Sequence, residues 1–173
     1  MAGQQERETQ LEQRFRDAMA RVPAPVSVVT TSIDGVPYGT TVSAFASLSL
    51  TPPMVLVALD HRGAMRNRIA TAGRLGLNVL ASHQADVAVR FASPVDRFAG
   101  IGWELVDGVP RLADVAAFLR CDEVELLPGG DHDVVLARVA DAEPLGKQAL
   151  SYHLRTFHPV PHDDSPAGPG AGS

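Results

Sequence analysis

Gly39-Thr40-Thr41-Val42-Ser43-Ala44-Phe45-Ala46-Ser47-Leu48-Ser49-Leu50-Thr51-Pro52-Pro53-Met54-Val55-Leu56-Val57 is the stretch on which the fold turns. Small hydroxyl residues (Thr40, Thr41, Ser43, Ser47, Ser49) alternate here with Val42, Ala44 and Leu48, as an extended segment requires. Pro52-Pro53 breaks the run, and Met54–Leu59 follows as a near-continuous apolar strand suited to burial. Small side chains let a flat ligand lie close to the backbone, whose N–H and C=O groups then read its polar edge. An edge strand with a polar outer face gives the same alternation, so two readings stand on these residues alone.

Working outward, Val26–Ile33 is rich in β-branched residues, and Asp34-Gly35 is a hairpin turn signal joining it to the quoted stretch. Ahead of it, Thr9-x-x-Glu12 fits a capping box, with Leu11, Phe15, Met19 and Val22 at helical spacing. This predicts an amphipathic helix over 9–22, ended by Pro23 and Pro25 and preceded by a flexible polar N-terminus, Met1–Glu8. Downstream, residues 64–72 read as a short helix closed by Gly73, and Arg74–Leu80 as a strand. Ser82 is placed to cap a helix over His83–Ala92. Residues 94–110, with Pro94, Gly100, Gly102, Gly108 and Pro110, read as a long irregular connection. Arg120–Leu127 and Asp133–Ala140 are strands joined by a turn at Pro128–Asp131.

Strands arriving in hairpins, with short helices between them, predict a mainly β domain over 9–158 built as an antiparallel barrel. Residues 159–173 carry Pro, Gly and small residues without apolar periodicity and read as a disordered tail. No Gly-x-Gly-x-x-Gly follows a strand and no Gly-Lys-Ser/Thr is present, which disfavours Rossmann and P-loop nucleotide enzymes.

A chain of 173 residues suits one hydrophobic core. No apolar run reaches the roughly 18–20 residues of a membrane span, and the polar N-terminus lacks a signal-peptide core. A single cysteine, Cys121, excludes an internal disulfide framework and any multi-cysteine metal site, and a cytoplasmic location is expected. Fifteen basic against twenty acidic residues, net −5, argue against a nucleic-acid binder. The average conceals a local excess: no acid lies between Asp60 and Asp86, while Arg62, Arg66, Arg68 and Arg74 do. A solvated arginine-rich helix face and an anion site both fit that pattern.

The run Gly39–Val57, taken with Asn78-Val79-Leu80 and Gly130-Asp131-His132, resembles the flavin reductase family with the FMN-binding split β-barrel. The resemblance spans about residues 11–157. It implies a homodimeric NAD(P)H:flavin oxidoreductase that passes reduced FMN or FAD to a monooxygenase component, with NADH or NADPH as hydride donor. A non-catalytic flavin- or haem-binding split barrel is the alternative.

By the same resemblance, Thr40, Thr41, Val42, Ser43, Ala44 and Ser47 lie along the flavin ring and ribityl chain. His61, Arg62, Gly63, Ala64 and Arg66 hold the phosphate, although the hydroxyls common in that loop are missing from Asp60–Asn67. A helix start there adds N–H donors and the positive dipole end. Leu80, Ala81 and Gln84 pass beside the flavin, with Arg90 and Phe91 near its far end; Phe91, one turn from Val87, also fits a core residue. His132 faces the nicotinamide, oriented by Asp131, where an imidazole can bond the carboxamide or assist a proton; a solvated turn residue is the plain alternative. Tyr152 borders the nicotinamide or packs in the core. His153, His158 and His162 lack nearby ordered carboxylates, so no metal is expected.

Overall fold

The computed structural model describes residues 2–161, with side chains from Gln4 onward. Fifteen elements follow in chain order: α1 (Ala2–Met19), β1 (Ala24–Pro25), β2 (Ser27–Ile33), β3 (Val36–Val42), β4 (Phe45–Leu50), β5 (Pro53–Asp60), α2 (Met65–Ala72), β6 (Arg74–Val79), α3 (Ala85–Ala92), β7 (Trp103–Val106), β8 (Val109–Leu112), β9 (Ala117–Gly129), β10 (His132–Pro144), β11 (Leu150–His153) and β12 (Thr156–Pro159).

Seven antiparallel strands form the main sheet in the order β3-β2-β6-β9-β10-β5-β4. It coils without closing, which leaves β3 and β4 as free edges and makes the barrel a split one. The alternation read from the sequence is that of its strands: β5 buries Val55, Val57 and Leu59 and turns the intervening residues outward. Asp34 and Gly35 both take positive φ, 52° and 78°, the geometry of a two-residue hairpin matched to strand twist.

Two apolar clusters hold the sheet. One packs Met65 and Ile69 of α2 against Val29, Val57, Leu75 and Val135. The other packs Val87 and Phe91 of α3 with Val28, Leu112 and Phe118. Buried Asn78 ties β8 to the sheet: its Oδ1 accepts the Leu112 N–H at 2.8 Å, and its Nδ2 donates to Val28 O at 3.2 Å and Thr30 Oγ1 at 3.1 Å.

The structure departs from the sequence expectations in several places. Helix α1 begins at Ala2, so Thr9 is interior, and its hydroxyl bonds back to Gln5 O at 3.0 Å instead of capping. The helix ends at Met19, short of the expected 22, so Leu11, Phe15 and Met19 keep their helical spacing while Val22 lies beyond it; all four stay exposed, at 64%, 63%, 49% and 51%. Helix α3 starts at Ala85 behind Gln84, and Ser82 does not cap it. The connection expected to be irregular over 94–110 contains β7 and the start of β8, joined at Asp107-Gly108 with φ of 48° and 79°, a second hairpin of the same kind. Strands β9 and β10 run to thirteen residues each because their pairing continues through two bulges. Pro159 ends β12 and the Val160 N–H bonds Ala149 O at 2.9 Å; the tail from His162 lies outside the described residues. Among the described residues no helix is long and apolar enough to cross a membrane.

Candidate functional site

Edge strand β3 supplies one wall. Arg97 donates through Nη1 to Gly39 O at 2.6 Å, which shows that Gly39 turns its backbone groups away from β2. In an antiparallel ladder the outward groups recur every second residue, so Thr41 also points its N–H and C=O off the free edge. The Thr41 hydroxyl donates to Ala88 O at 2.7 Å and clamps β3 to α3. The Thr40 and Ser43 hydroxyls make no hydrogen bond among the described residues.

Residues Thr40, Thr41, Val42, Ser43 and Ala44 line a cavity of about 220 Å³ together with Leu59, Gly63 and His132. A second cavity, about 500 Å³, shares Thr40, Gly63 and Met65 with it and adds Arg62, Ala64, Arg68 and Arg97. The two form one continuous cleft along the β3 edge and past the start of α2. Ala64 precedes that helix without any side-chain cap, so the first-turn N–H groups of α2 have no helical acceptor. No acidic residue lies in its first turn, and the dipole end there attracts an anion.

The loop ahead of α2 is braced at both ends. The Arg62 N–H and Nε donate to the Asp60 carboxylate at 2.7 and 3.0 Å, which holds that carboxyl well below the usual range. Asp133, 7% exposed, accepts from His61 Nε2 at 2.9 Å and Arg66 Nη1 at 2.7 Å. The His61 bond first, and the Arg66 bond second, keep its carboxyl below its ordinary value. His61 and Arg66 are thus turned toward β10, whereas Arg62, Gly63 and Ala64 face the cleft.

At the rim, Asp131 Oδ1 lies 2.7 Å from His132 Nδ1. A carboxylate only accepts, so Nδ1 carries the proton and Nε2 is left for a ligand. The same bond lowers the Asp131 carboxyl below its ordinary value.

The remaining residues expected at the site do not line these two cavities. Ser47 sits exposed on β4, opposite Val55. Leu80, Ala81 and Phe91 are fully buried, and Phe91 stacks edge-on with Phe98 at 5.0 Å. Gln84 is spent on structure, accepting the Ala81 N–H at 3.0 Å and donating to Ala113 O at 2.9 Å. Arg90 points to Ala99 O. Tyr152 packs on Phe157 and lines a third cavity, about 410 Å³, that meets the cleft at Thr41, Val42 and Ser43. Asp133, Arg68 and Arg97 are the contributors that sequence reasoning missed or left unplaced, since nothing local marks their partners. No group of three or more metal-ligating side chains occurs among the described residues.

Residues 19–161 match the model of the flavin reductase like domain. The chain is a member of the flavin reductase family. This flavin reductase is 39% identical over 150 residues to the reductase component of a 4-nitrophenol 4-monooxygenase/4-nitrocatechol 2-monooxygenase from Rhodococcus opacus, covering 86% of this chain and 81% of that one. It is 36% identical over 162 residues to the NADH:riboflavin 5'-phosphate oxidoreductase of Streptomyces pristinaespiralis, covering 90% and 91% of the two chains. Its fold matches the NADH:FAD oxidoreductase SgcE6 of Streptomyces globisporus C-1027, solved in complex with NAD and FAD fragments, with a TM-score of 0.83 at 29% identity over 89% of this chain and 95% of that one. The matched segment of this flavin reductase contains every residue of the cleft and leaves out nearly all of α1.

Proposed function

We propose that this chain is an NADH-dependent flavin reductase that transfers hydride from the nicotinamide to FMN or FAD and supplies the reduced flavin to a monooxygenase component. The observation that carries the reading is the continuous cleft, with the Thr40 and Ser43 hydroxyls and an open strand edge at one end and an uncapped helix start with Arg62 at the other. That donor set suits a molecule with a flat polar-edged ring and a phosphate, and the names of the relatives support it.

The hydride chemistry belongs to the two cofactors, and the protein aligns them. Thr40, Ser43 and the outward backbone groups of Thr41 would hold the polar edge of the flavin ring. Val42 and Leu59, which line the same cavity, would exclude water from its face. The first-turn N–H groups of α2 and the Arg62 guanidinium would hold the phosphate. His132 presents Nε2 to the nicotinamide amide, and Asp131 keeps its tautomer fixed. Tyr152, which lines the adjoining cavity with Thr41, Val42 and Ser43, would border the nicotinamide half.

A homodimer belongs to the same reading, supported by the exposed apolar row on α1 (Leu11, Phe15, Met19) and by two uncovered sheet edges. NADPH as a second donor and a cytoplasmic setting complete it. The deciding experiment is steady-state oxidation of NADH and NADPH with FMN and FAD in all four pairings. Turnover that requires added flavin is expected, and no turnover in any pairing overturns the reading. Light scattering after size exclusion reads the oligomer, with a mass of two chains expected.

A further inference from the structure

The larger cavity, about 500 Å³ against about 220 Å³ for its neighbour, is lined by two arginines whose charge no carboxylate among the described residues balances. Arg68, one turn into α2, lays its guanidinium on Tyr38, with Cζ 3.9 Å from the ring centroid. Arg97, from the segment after α3, lines the same cavity and is fixed there by Nε to Ser93 O at 3.0 Å and Nη1 to Gly39 O at 2.6 Å. Among the described residues no carboxylate lies within 4.0 Å of either guanidinium, whereas Arg62 and Arg66 on the same stretch are both paired. Asp96 also lines the cavity, but its carboxylate accepts the Phe98 N–H at 3.3 Å and pairs with neither arginine.

Two like charges line one cavity. Burial first, and the charge of Arg68 second, lower the proton affinity of Arg97. Holding such cations together without a counter-charge costs free energy that an anion between them recovers. Continuity identifies the anion, because the cavity joins the ring end of the cleft at Thr40, Gly63 and Met65. The same cavity is also lined by Pro37, Tyr38, Pro94 and Phe98, side chains against which a purine ring can pack.

We propose that Arg68 and Arg97 form a second phosphate subsite, which takes the diphosphate and adenylate half of FAD and makes the chain prefer FAD to FMN. The proposal rests on the flavin-reductase reading and extends it to the choice of flavin.

The test is calorimetric titration of the full chain, flavin-free, with FAD, FMN and ADP, alongside Arg68→Ala and Arg97→Gln. The Arg68 side chain makes no hydrogen bond among the described residues, so Arg68→Ala is expected to keep the fold, and thermal melts verify this for both variants. The wild type is expected to bind FAD about tenfold more tightly than FMN and to bind ADP alone, and Arg68→Ala is expected to cut the FAD preference about tenfold. Equal wild-type affinity for FAD and FMN overturns the proposal. So does an Arg68→Ala loss that is the same for both flavins, or one confined to the KM for NADPH with FAD binding unchanged, which assigns the charge to the donor's extra phosphate. Because calorimetry requires no turnover, an inactive protein with the expected binding pattern upholds the subsite while overturning the enzyme.

Discussion

Asp133 Oδ1 accepts a hydrogen bond from His61 Nε2 at 2.9 Å, and this contact, with the 2.7 Å Arg66 bond to the other carboxylate oxygen, fastens the loop ahead of α2 to β10. The loop is therefore held in place before any ligand arrives. Asp133→Asn should lower the melting temperature on the order of 5 °C at pH 7, through loss of two charge-assisted bonds. The sign of its pH dependence follows from a carboxyl held below its ordinary value of 3.8 in the folded state. The stabilisation is full above 3.8 and is lost as pH falls below it, so the gap between wild type and variant should close in acid. Melting curves from pH 7 down to pH 3 test this; a gap that widens in acid refutes the assignment.

His132 lines the cleft and is oriented through Nδ1, which leaves Nε2 for the nicotinamide. His132→Ala should raise the KM for NADH about tenfold, the equivalent of one hydrogen bond, and change the flavin dissociation constant much less. Parallel kinetics and flavin titration separate the two effects. An unchanged KM removes His132 from the nicotinamide site.

Gly39 has a packing reason to be glycine. A Cβ there would stand 2.7 Å from Phe91 Cε1 and 2.9 Å from Cδ1, and that ring is fully buried. Gly39→Ala should destabilise by about 1–3 kcal/mol through overpacking and should weaken flavin binding by displacing the strand edge. Urea unfolding measures the first effect; a stability equal to wild type shows that the Phe91 ring yields freely.

Asn78 fixes the β7–β8 hairpin. Asn78→Ala leaves the buried Leu112 N–H without its partner, at a cost of about 1–3 kcal/mol. Amide exchange should speed up first in Val109–Leu112; loss spread evenly over the sheet instead would assign Asn78 to the global core.

Much of this was legible in the sequence where the decisive cause is local. The hydroxyl-rich run Thr40–Ala44, the apolar strand Met54–Leu59 and the Asp34-Gly35 turn each act through their own residues. The hairpin at Asp107-Gly108 carries the same signal, but glycines and prolines on both sides hid it. The arginines show the limit. Arg62 and Arg66 look equivalent in sequence, and only Asp133, 67 residues beyond Arg66, turns one of them away from the cleft. Arg97 approaches Arg68 solely because the chain after α3 folds back over β3. Ser82 lost its capping role because the start of α3 is set by the bonds of Gln84 to the Ala81 and Ala113 backbone.

The free edge of β3 has a consequence for solubility. A row of unpaired backbone groups is a template on which a strand from another molecule can add. Here Pro37 contributes no donor to that row, and Arg97 occupies the Gly39 carbonyl, so the strand meets the solvent blunted at one end and open only around Thr41. A ligand seated against Thr41 would close the remaining gap. Occupancy and resistance to aggregation are therefore coupled in this molecule: starved of its ligand, it should be lost first by strand-to-strand association and only later by unfolding.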